Sequence, residues 1–282
     1  MKICIASDST LDLSKELLDE FNVKTIGFPI LLGEKVEYDG QIDPLAIFDY
    51  VDKTGVLPKT SAINVEVLKD FFKELLKESD EVIYFSLSDG ISSVYQNALA
   101  AAKEVGHIHV IDSASLSTGV GLQVINAAKL VKEGKSLEEI LENIEKRKPF
   151  VQASFVVATL DYLYKGGRCS ALAKFGAQLF RIRPQIVLSE GKMKPGKKYM
   201  GKQVGCVQNY VKDTLAEFDN PDLSLVFITH SHATPEMVEI AKKALIERGF
   251  ERIEETFAGA TISSHCGPKT IGILYFNDGG NK

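Results

Sequence analysis

Short apolar segments alternate with amphipathic segments along the first half of the chain. The segments KICIA, VIYFSL and HIHVID predict strands, and so does VKTIGFPILL at residues 23–32. Between them, segments such as VEVLKDFFKELLKE after Asn64 carry apolar residues at helical spacing. Repeated strand and helix units predict a mostly parallel sheet with helices on both faces. Ligands of such sheets usually bind at the carboxyl ends of the strands, which here lead into the hydroxyl-rich loops SDST, TSAIN, SDGISS and DSASLS.

The second half of the chain has a different pattern, in which strands follow each other through hairpins. QIVLSEGKMKPGKKY predicts a hairpin that turns at Glu190-Gly191, and RIEETFAG and TIGILYF predict two late strands around ATISSHCGPK. Helices are predicted over ALAKFGAQLFRI, over QVGCVQNYVKDTLAEF and after Thr234-Pro235. We expect an α/β fold with two domains: an N-terminal three-layer α/β/α domain with a mostly parallel sheet at 1–154, and a C-terminal two-layer α/β domain with a mixed sheet at 155–282.

Composition narrows the class of protein. The chain has 282 residues with 45% hydrophobic and 25% charged residues, which is typical of a soluble globular protein, and its net charge of -5 disfavours a nucleic-acid partner. The apolar run in MKICIASDST is too short for a signal peptide, and no segment has the length of a transmembrane span. The cysteines are far apart and form no CxxC pair, so we expect reduced thiols and a cytoplasmic protein.

One stretch, FSLSDGISSVYQNALAAA at residues 85–102, predicts a strand, a loop of small hydroxyl residues and a helix. This arrangement directs hydroxyls and free backbone N–H groups at one place and suits an anion. The chain has no P-loop and no GxSxG nucleophile elbow, and its paired histidines have no obvious third metal ligand. Serine hydroxyls together with His265 suit either a serine hydrolase or a site that holds a carboxylate, and the residues alone leave that choice open.

Five segments, in order and spread over nearly the whole chain, resemble the signature blocks of the DegV family. They are KTS at 59–61, SLSDGISSVYQNA, IDSASLSTGVG, LDYLYKGGRCS and AGATISSHCGPKTIG. The resemblance implies a two-domain protein that binds a long-chain fatty acid between its domains. Some members are the fatty-acid-binding subunit of bacterial fatty acid kinase, presenting the carboxylate to a separate kinase that makes acyl phosphate for phospholipid synthesis.

Carried over by position, the resemblance implies carboxylate contacts and one supporting residue. The contacts fall on Thr60, Ser61, Ser92, Ser93 and His265, and Arg168 is expected to orient the polar mouth of the site or an interdomain contact. Three positions depart from the pattern of the family. Ser93-Val94 replaces the usual Gly-Thr, Asn64 replaces a serine, and Lys269 replaces a glycine.

We therefore expect a non-catalytic carrier without a cofactor, whose N-terminal domain holds the acyl tail under its helices while the C-terminal domain closes over the carboxylate. The alternative is a serine-dependent esterase or acyl-transfer enzyme that uses Ser92 or Ser93 with His265. A basic run could dock the kinase or make transient contact with anionic lipid, or could simply be a solvated hairpin. Its residues are Lys192, Lys194, Lys197, Lys198 and Lys202.

Overall fold

A computed structural model describes residues 1–169 and 182–280. The strands are β1 (Ile3–Asp8), β2 (Lys24–Ile26), β3 (Pro29–Leu32), β4 (Lys35–Tyr38), β5 (Lys59–Thr60), β6 (Glu81–Ser86), β7 (Ile108–Asp112), β8 (Val151–Val156), β9 (Arg183–Ser189), β10 (Lys192–Tyr199), β11 (Val226–Ser231), β12 (Ile253–Phe257) and β13 (Thr270–Phe276). The α-helices are α1 (Lys15–Glu20), α2 (Leu45–Thr54), α3 (Val65–Leu75), α4 (Val94–Val105), α5 (Thr118–Lys132), α6 (Leu137–Arg147), α7 (Asp161–Lys165), α8 (Gln203–Glu217), α9 (Pro235–Arg248) and α10 (Ala260–Cys266). The helix predicted over ALAKFGAQLFRI lies outside the described residues except for its last position, Ile182.

A four-stranded parallel sheet with the order β2-β1-β6-β7 forms the centre of the first half. Successive residues of β6 face opposite sides, as in any strand. Ile83 and Phe85 pack with the core around α5 and α6, whereas Val82 and Tyr84 pack with the core around α3 and α4. The prediction of a parallel sheet with helices on both faces is confirmed.

A six-stranded mixed sheet with the order β10-β9-β8-β13-β11-β12 forms the second half. Only β11 and β12 pair in parallel among these neighbours, and the other pairs are antiparallel. The predicted hairpin joins β9 to β10, and both turn residues, Glu190 and Gly191, have positive φ angles of 52° and 71°. Helices α8 and α9 contribute to a separate core that covers this sheet, so the predicted mixed sheet is confirmed.

The prediction of one strand over residues 23–32 is wrong, because the segment forms two strands in two different sheets. β2 pairs with β1, whereas β3 belongs to a small antiparallel sheet with the order β4-β3-β5. The chain leaves the parallel sheet at Gly27, where an added Cβ would lie 2.6 Å from the carbonyl oxygen of Asp39. This small sheet matters for the site because its strand β5 carries Thr60.

Two details of the helices bear on the site. Residues 260–266, between the two late strands, form helix α10, and Ser93 is the N-terminal cap residue of α4. None of the helices within residues 1–169 and 182–280 is long and apolar enough to cross a membrane.

Candidate functional site

An apolar pocket lies between residues of both halves of the chain, where the loop after β6, strand β5 and helix α10 meet. Its volume is about 40 Å³. The lining residues are Phe28, Thr60, Ser61, Ala62, Leu87, Ile91, Ser92, Leu116, Leu163, Arg168, Met193, Thr261, Ile262, His265 and Cys266. A second pocket of about 30 Å³ shares Leu116, Ile262 and Cys266 with the first and continues towards Phe155 and Leu274. Five of the six residues predicted for the site therefore line one pocket, and Ser93 does not.

Thr60 and His265 form the polar pair of this pocket. Thr60 is placed by β5, which pairs with β3 through Ile30, and His265 lies in the last turn of α10. Thr60 Oγ1 lies 2.8 Å from His265 Nε2. Burial, and then the nearby Arg168, lower the pKa of His265 to about 4, so its imidazole is neutral at neutral pH.

The other ring nitrogen of His265 defines the tautomer. His265 Nδ1 is buried and has no hydrogen-bond partner among the described residues. A proton on Nδ1 would leave a buried N–H donor unpaired, which costs more free energy than an unpaired lone pair on the same atom. The structure therefore favours the tautomer in which Nε2–H donates to Thr60 Oγ1. That tautomer leaves the Thr60 hydroxyl hydrogen free to donate elsewhere.

Ser92 also lines the pocket and lies in the loop between β6 and α4. Its N–H donates to the carbonyl of Ser88 at 3.1 Å, and its Oγ accepts from the N–H of Val94 at 3.3 Å. Ser88 holds this loop against the β9–β10 hairpin, because its hydroxyl donates to the carbonyl of Gly191 at 2.7 Å. Since Ser92 Oγ already accepts one hydrogen bond, its hydroxyl hydrogen remains available to donate to an acceptor in the pocket.

The remaining predicted residues lie at the rim. Ser61 and Arg168 are exposed, and the guanidinium of Arg168 donates to the carbonyl of Gly166 at 2.9 Å. Gly166 also packs against the imidazole, since an added Cβ would lie 2.7 Å from His265 Nδ1. Ser93 is exposed and caps α4 without a side-chain hydrogen bond.

Buried aspartates hold the backbone that carries these side chains. Asp12 Oδ1 accepts from the N–H of Gly259 at 2.8 Å, and Asp39 Oδ1 accepts from the N–H of Ala260 at the same distance. These N–H groups belong to the N-terminus of α10, where the first donors of a helix have no partner within the helix. In the loop that carries Ser92, the N–H of Leu87 donates to Asp8 Oδ2 at 2.8 Å. The sequence pointed to the SDST loop as hydroxyl-rich but gave no reason to connect its aspartate to the site.

A serine and histidine pair of the kind that an esterase needs is not formed by the described residues. The imidazole of His265 contacts the hydroxyl of Thr60, and neither Ser92 nor Ser93 donates a hydrogen bond to it. A histidine whose pKa is near 4 is also a weak base for activating a hydroxyl at neutral pH.

The sequence did not identify the apolar residues that complete the pocket. They come from separate parts of the chain, Phe28 and Leu116 from loops and Met193 from β10, and no helical or strand period connects them. Cys266 lies at the junction of the two pockets, and burial raises the pKa of its thiol to about 12, so the thiolate is not populated. Only the neighbouring motif around His265 marked this region in advance.

The structure also places the side chains that could bind a metal ion and the lysines of the basic run. In the described part of the chain, no group of three or more histidine, cysteine or acidic side chains is arranged to hold a metal ion. In the basic run, Lys194 pairs with Glu190 at 3.0 Å, and Lys197 lies 3.5 Å from Asp213 and 3.9 Å from Glu217. Acidic neighbours thus offset part of the positive charge that the sequence suggested.

The sequence and the fold of this chain are similar to those of known proteins of one family. The family model described as "Uncharacterised protein, DegV family" matches residues 2–278. A fatty acid-binding protein of Thermotoga maritima is 28% identical over 286 residues, covering 97% of both chains. The structure titled as fatty acid binding of a DegV family protein from Thermus thermophilus is 28% identical with a TM-score of 0.91, covering 98% of this chain and 99% of that one. A stearic acid-binding protein from Eubacterium ventriosum is 25% identical with a TM-score of 0.86, covering 97% and 98%.

Proposed function

The chain belongs to the DegV family, whose proteins bind fatty acids, and we propose that it binds a long-chain fatty acid. The observation that carries this proposal is the pair of Thr60 and neutral His265 at the polar end of an apolar pocket. A fatty acid has one acceptor group and a long apolar tail. A pocket with hydroxyl donors at one end and aliphatic walls matches both parts.

The carboxylate is held by hydrogen bonds rather than by an ion pair. In our proposal the Thr60 hydroxyl, oriented by Nε2–H of His265, and the Ser92 hydroxyl both donate to it. Hydrogen bonds to a charged acceptor are worth about 1.5–3 kcal/mol each, more than bonds between neutral groups. Roles for Ser61 and Ser93 as further carboxylate contacts stay predictions, and Arg168 supports the site from its rim.

The acyl tail follows the two joined pockets. We place its start beside Leu87, Ile91 and Met193 and its continuation past Ile262 and Cys266 towards Phe155. Burying roughly 15 methylenes at about 0.8 kcal/mol each gives a gross gain on the order of 12 kcal/mol, before the cost of association is subtracted. The pockets of about 40 and 30 Å³ are smaller than the roughly 300–1,000 Å³ of typical ligand sites, so binding widens them. Met193, as an unbranched side chain, suits such a movement.

We propose that each half of the chain supplies one part of the site, as the sequence suggested, but with the boundary at Val151, the start of β8, rather than between 154 and 155. Residues before Val151, where the six-stranded sheet begins, supply Thr60, Ser92 and the first wall of the pocket. Residues after that point supply α10 and close the pocket over the carboxylate.

The chain is proposed to act as a non-catalytic carrier in the cytoplasm that presents the carboxylate to a separate fatty acid kinase. Exposed Ser61 and Arg168 at the rim support this, because the head of the ligand lies close to solvent and within reach of a partner. The four free cysteines fit a reducing compartment.

The kinase step is tested by adding a bacterial fatty acid kinase and ATP. A loss of acyl phosphate formation in the double variant Lys197→Glu, Lys198→Glu would place docking on the β9–β10 hairpin, and an unchanged rate would exclude docking there.

Mass spectrometry tests the binding function. Native spectra of the purified protein should show a mass increment of a long-chain fatty acid at one equivalent, and denaturing spectra should show the bare chain together with free acid in the organic extract. A protein that is empty and takes up no added palmitate contradicts the proposal. Labelling of Ser92 or Ser93 by a fluorophosphonate probe would instead support the esterase alternative.

A further inference from the structure

Three buried carboxylates that line neither pocket lie between the elements that build the site. Asp8, Asp12 and Asp39 are only 0%, 6% and 4% exposed, and we call them the aspartate cluster. Burying a carboxylate costs several kcal/mol unless hydrogen bonds compensate. Each of the three accepts a backbone N–H from a segment that carries or borders the site.

We infer that the aspartate cluster positions the donors of the carboxylate site, with Asp8 setting the Ser92 loop and with Asp12 and Asp39 setting His265 through α10. This inference rests on the proposed function. It assigns the three residues as positioning residues that act through the backbone and do not touch the ligand.

On the Ser92 side, Asp8 connects two loops at the carboxyl edge of the parallel sheet. Its Oδ1 accepts from the N–H and hydroxyl of Thr10, at 3.1 and 2.5 Å, and caps the short helix at Ser9–Leu11. Its Oδ2 accepts from the N–H of Leu87, the first residue after β6 and itself a lining residue of the pocket. Leu87 begins the loop that ends at Ser92, so the position of that loop depends on this bond.

On the His265 side, the carboxylates of Asp12 and Asp39 both accept hydrogen bonds from the N-terminus of α10. Asp12 also accepts from the hydroxyl of Ser117 at 2.5 Å, and Asp39 also accepts from the hydroxyl of Ser9 at 3.1 Å. The fit around Gly259 is close, because an added Cβ there would lie 2.9 Å from Asp39 Oδ1 and 3.0 Å from Asp12 Oδ1.

Because α10 is short, the hydrogen bonds at its N-terminus affect the position of His265. The helix spans Ala260–Cys266, so the anchored N-terminus and His265 are little more than one turn apart. A shift at Gly259 is therefore passed on to the imidazole and to the Thr60 hydroxyl that it orients. A polar site built for one geometry needs its donors held to within roughly 0.5 Å.

The experiment compares palmitate with hexadecan-1-ol, which has the same tail and a neutral head. The affinity ratio of the two ligands, measured by displacement of a fluorescent long-chain probe, reports on the head of the site, since the contribution of the tail cancels. A general loss of packing lowers both affinities together, whereas misplaced donors lower the affinity for palmitate more. Wild type should prefer palmitate by about tenfold or more.

Three kinds of variant separate positioning from stability. Asp12→Leu and Asp39→Leu remove the acceptors and should reduce the preference for palmitate at least about fivefold. Asp12→Asn and Asp39→Asn keep one acceptor oxygen and should retain the preference within about twofold. Asp278→Leu is the control, because Asp278 is also buried, accepts from Arg147 at 2.6 Å and lies outside both pockets. It should lower stability without changing the preference.

If the leucine variants do not fold, the variant Gly259→Ala provides a second test of the same inference. Its added methyl pushes on both carboxylates while every hydrogen-bonding group remains, and it should reduce the preference in the same direction. The inference is overturned if wild type prefers palmitate over hexadecan-1-ol and the folded variants, Gly259→Ala and the aspartate variants, show the same preference. A wild type that binds neither ligand, or prefers neither, overturns the proposed function instead.

Discussion

The Thr60–His265 pair and the aspartate cluster are two polar groups of the same molecule that use their hydrogen bonds differently. In the pair, the Thr60 hydroxyl has a hydrogen left to donate, and His265 Nδ1 has no partner within residues 1–169 and 182–280. In the cluster, every carboxylate accepts at least two hydrogen bonds from the protein itself. Unused donors at a pocket are suited to a ligand, whereas saturated acceptors away from it are suited to holding the backbone. The difference predicts which substitutions change stability and which change affinity.

The largest effect on stability is expected from the cluster. Asp39→Leu leaves the N–H groups of Gly40 and Ala260 and the hydroxyl of Ser9 without their acceptor. Each buried unpaired donor costs about 1–3 kcal/mol, so the free energy of unfolding should fall by about 3–5 kcal/mol. Urea unfolding followed by circular dichroism measures it. The matched control is Asp43→Leu. Asp43 is exposed, and among the described residues its carboxylate accepts only from the N–H of Leu45, at 2.9 Å. Equal losses in the two variants would contradict the role assigned to Asp39.

The pH dependence of stability should show the cost of burying the cluster. Burial raises the pKa of Asp8 to about 6 from 3.8, so the folded state holds this proton at pH values where the unfolded chain has lost it. The contribution of Asp8 is then fully present below pH 3.8 and is lost as the pH rises through about 6. Between pH 4 and pH 7, wild type should lose about 3 kcal/mol relative to Asp8→Asn. Unfolding curves of the two proteins that keep a constant difference in free energy over this range would show that Asp8 does not titrate in this way.

In the pair, the effect on binding should be large and the effect on folding smaller than in the cluster. Thr60→Val keeps the shape of the side chain and removes the hydroxyl that donates to the ligand. The affinity for palmitate should fall about tenfold to a hundredfold. The free energy of unfolding should fall by about 1–3 kcal/mol, less than in Asp39→Leu, because only one buried donor, Nε2–H of His265, loses its acceptor. Thr54→Val, which removes an exposed hydroxyl at the end of α2, serves as the control and should bind as wild type does. Unchanged affinity in Thr60→Val would remove this residue from the site.

The smallest effects should distinguish the two neighbouring serines. Ser92 lines the pocket and Ser93 does not, so Ser92→Ala should weaken palmitate binding about three- to tenfold and Ser93→Ala less than about twofold. Isothermal titration of both variants under the same conditions measures this. Equal losses would mean that Ser93 takes part, as its place in the sequence motif suggested.

Local patterns predicted most of the fold. The apolar periods predicted both sheets, and the predicted turn at Glu190-Gly191 was confirmed at those two residues. The prediction failed over residues 23–32, because one continuous apolar pattern was divided at Gly27 by an approach of the distant Asp39 backbone. Such a contact leaves no periodic signal in the sequence.

The candidate site was predictable where a motif marked it and not where only the fold brings residues together. Thr60 and His265 are 205 positions apart, and only the family resemblance connected them before the 2.8 Å contact was known. Asp12 and Asp39 were not identified, because they lie in loops, after the short helix at Ser9–Leu11 and after β4, and the helix N-terminus that they cap is more than two hundred positions away.

NMR of palmitate labelled with ¹³C at the carboxyl carbon tests the central claim most directly. The account predicts one bound resonance, distinct from free palmitate, that shifts clearly in Thr60→Val and in Ser92→Ala and stays in place in the Thr54→Val control. It also predicts that the bound head remains ionised at neutral pH, because donors surround it. A bound resonance that none of these substitutions moves would contradict the claim that Thr60 and Ser92 hold the carboxylate.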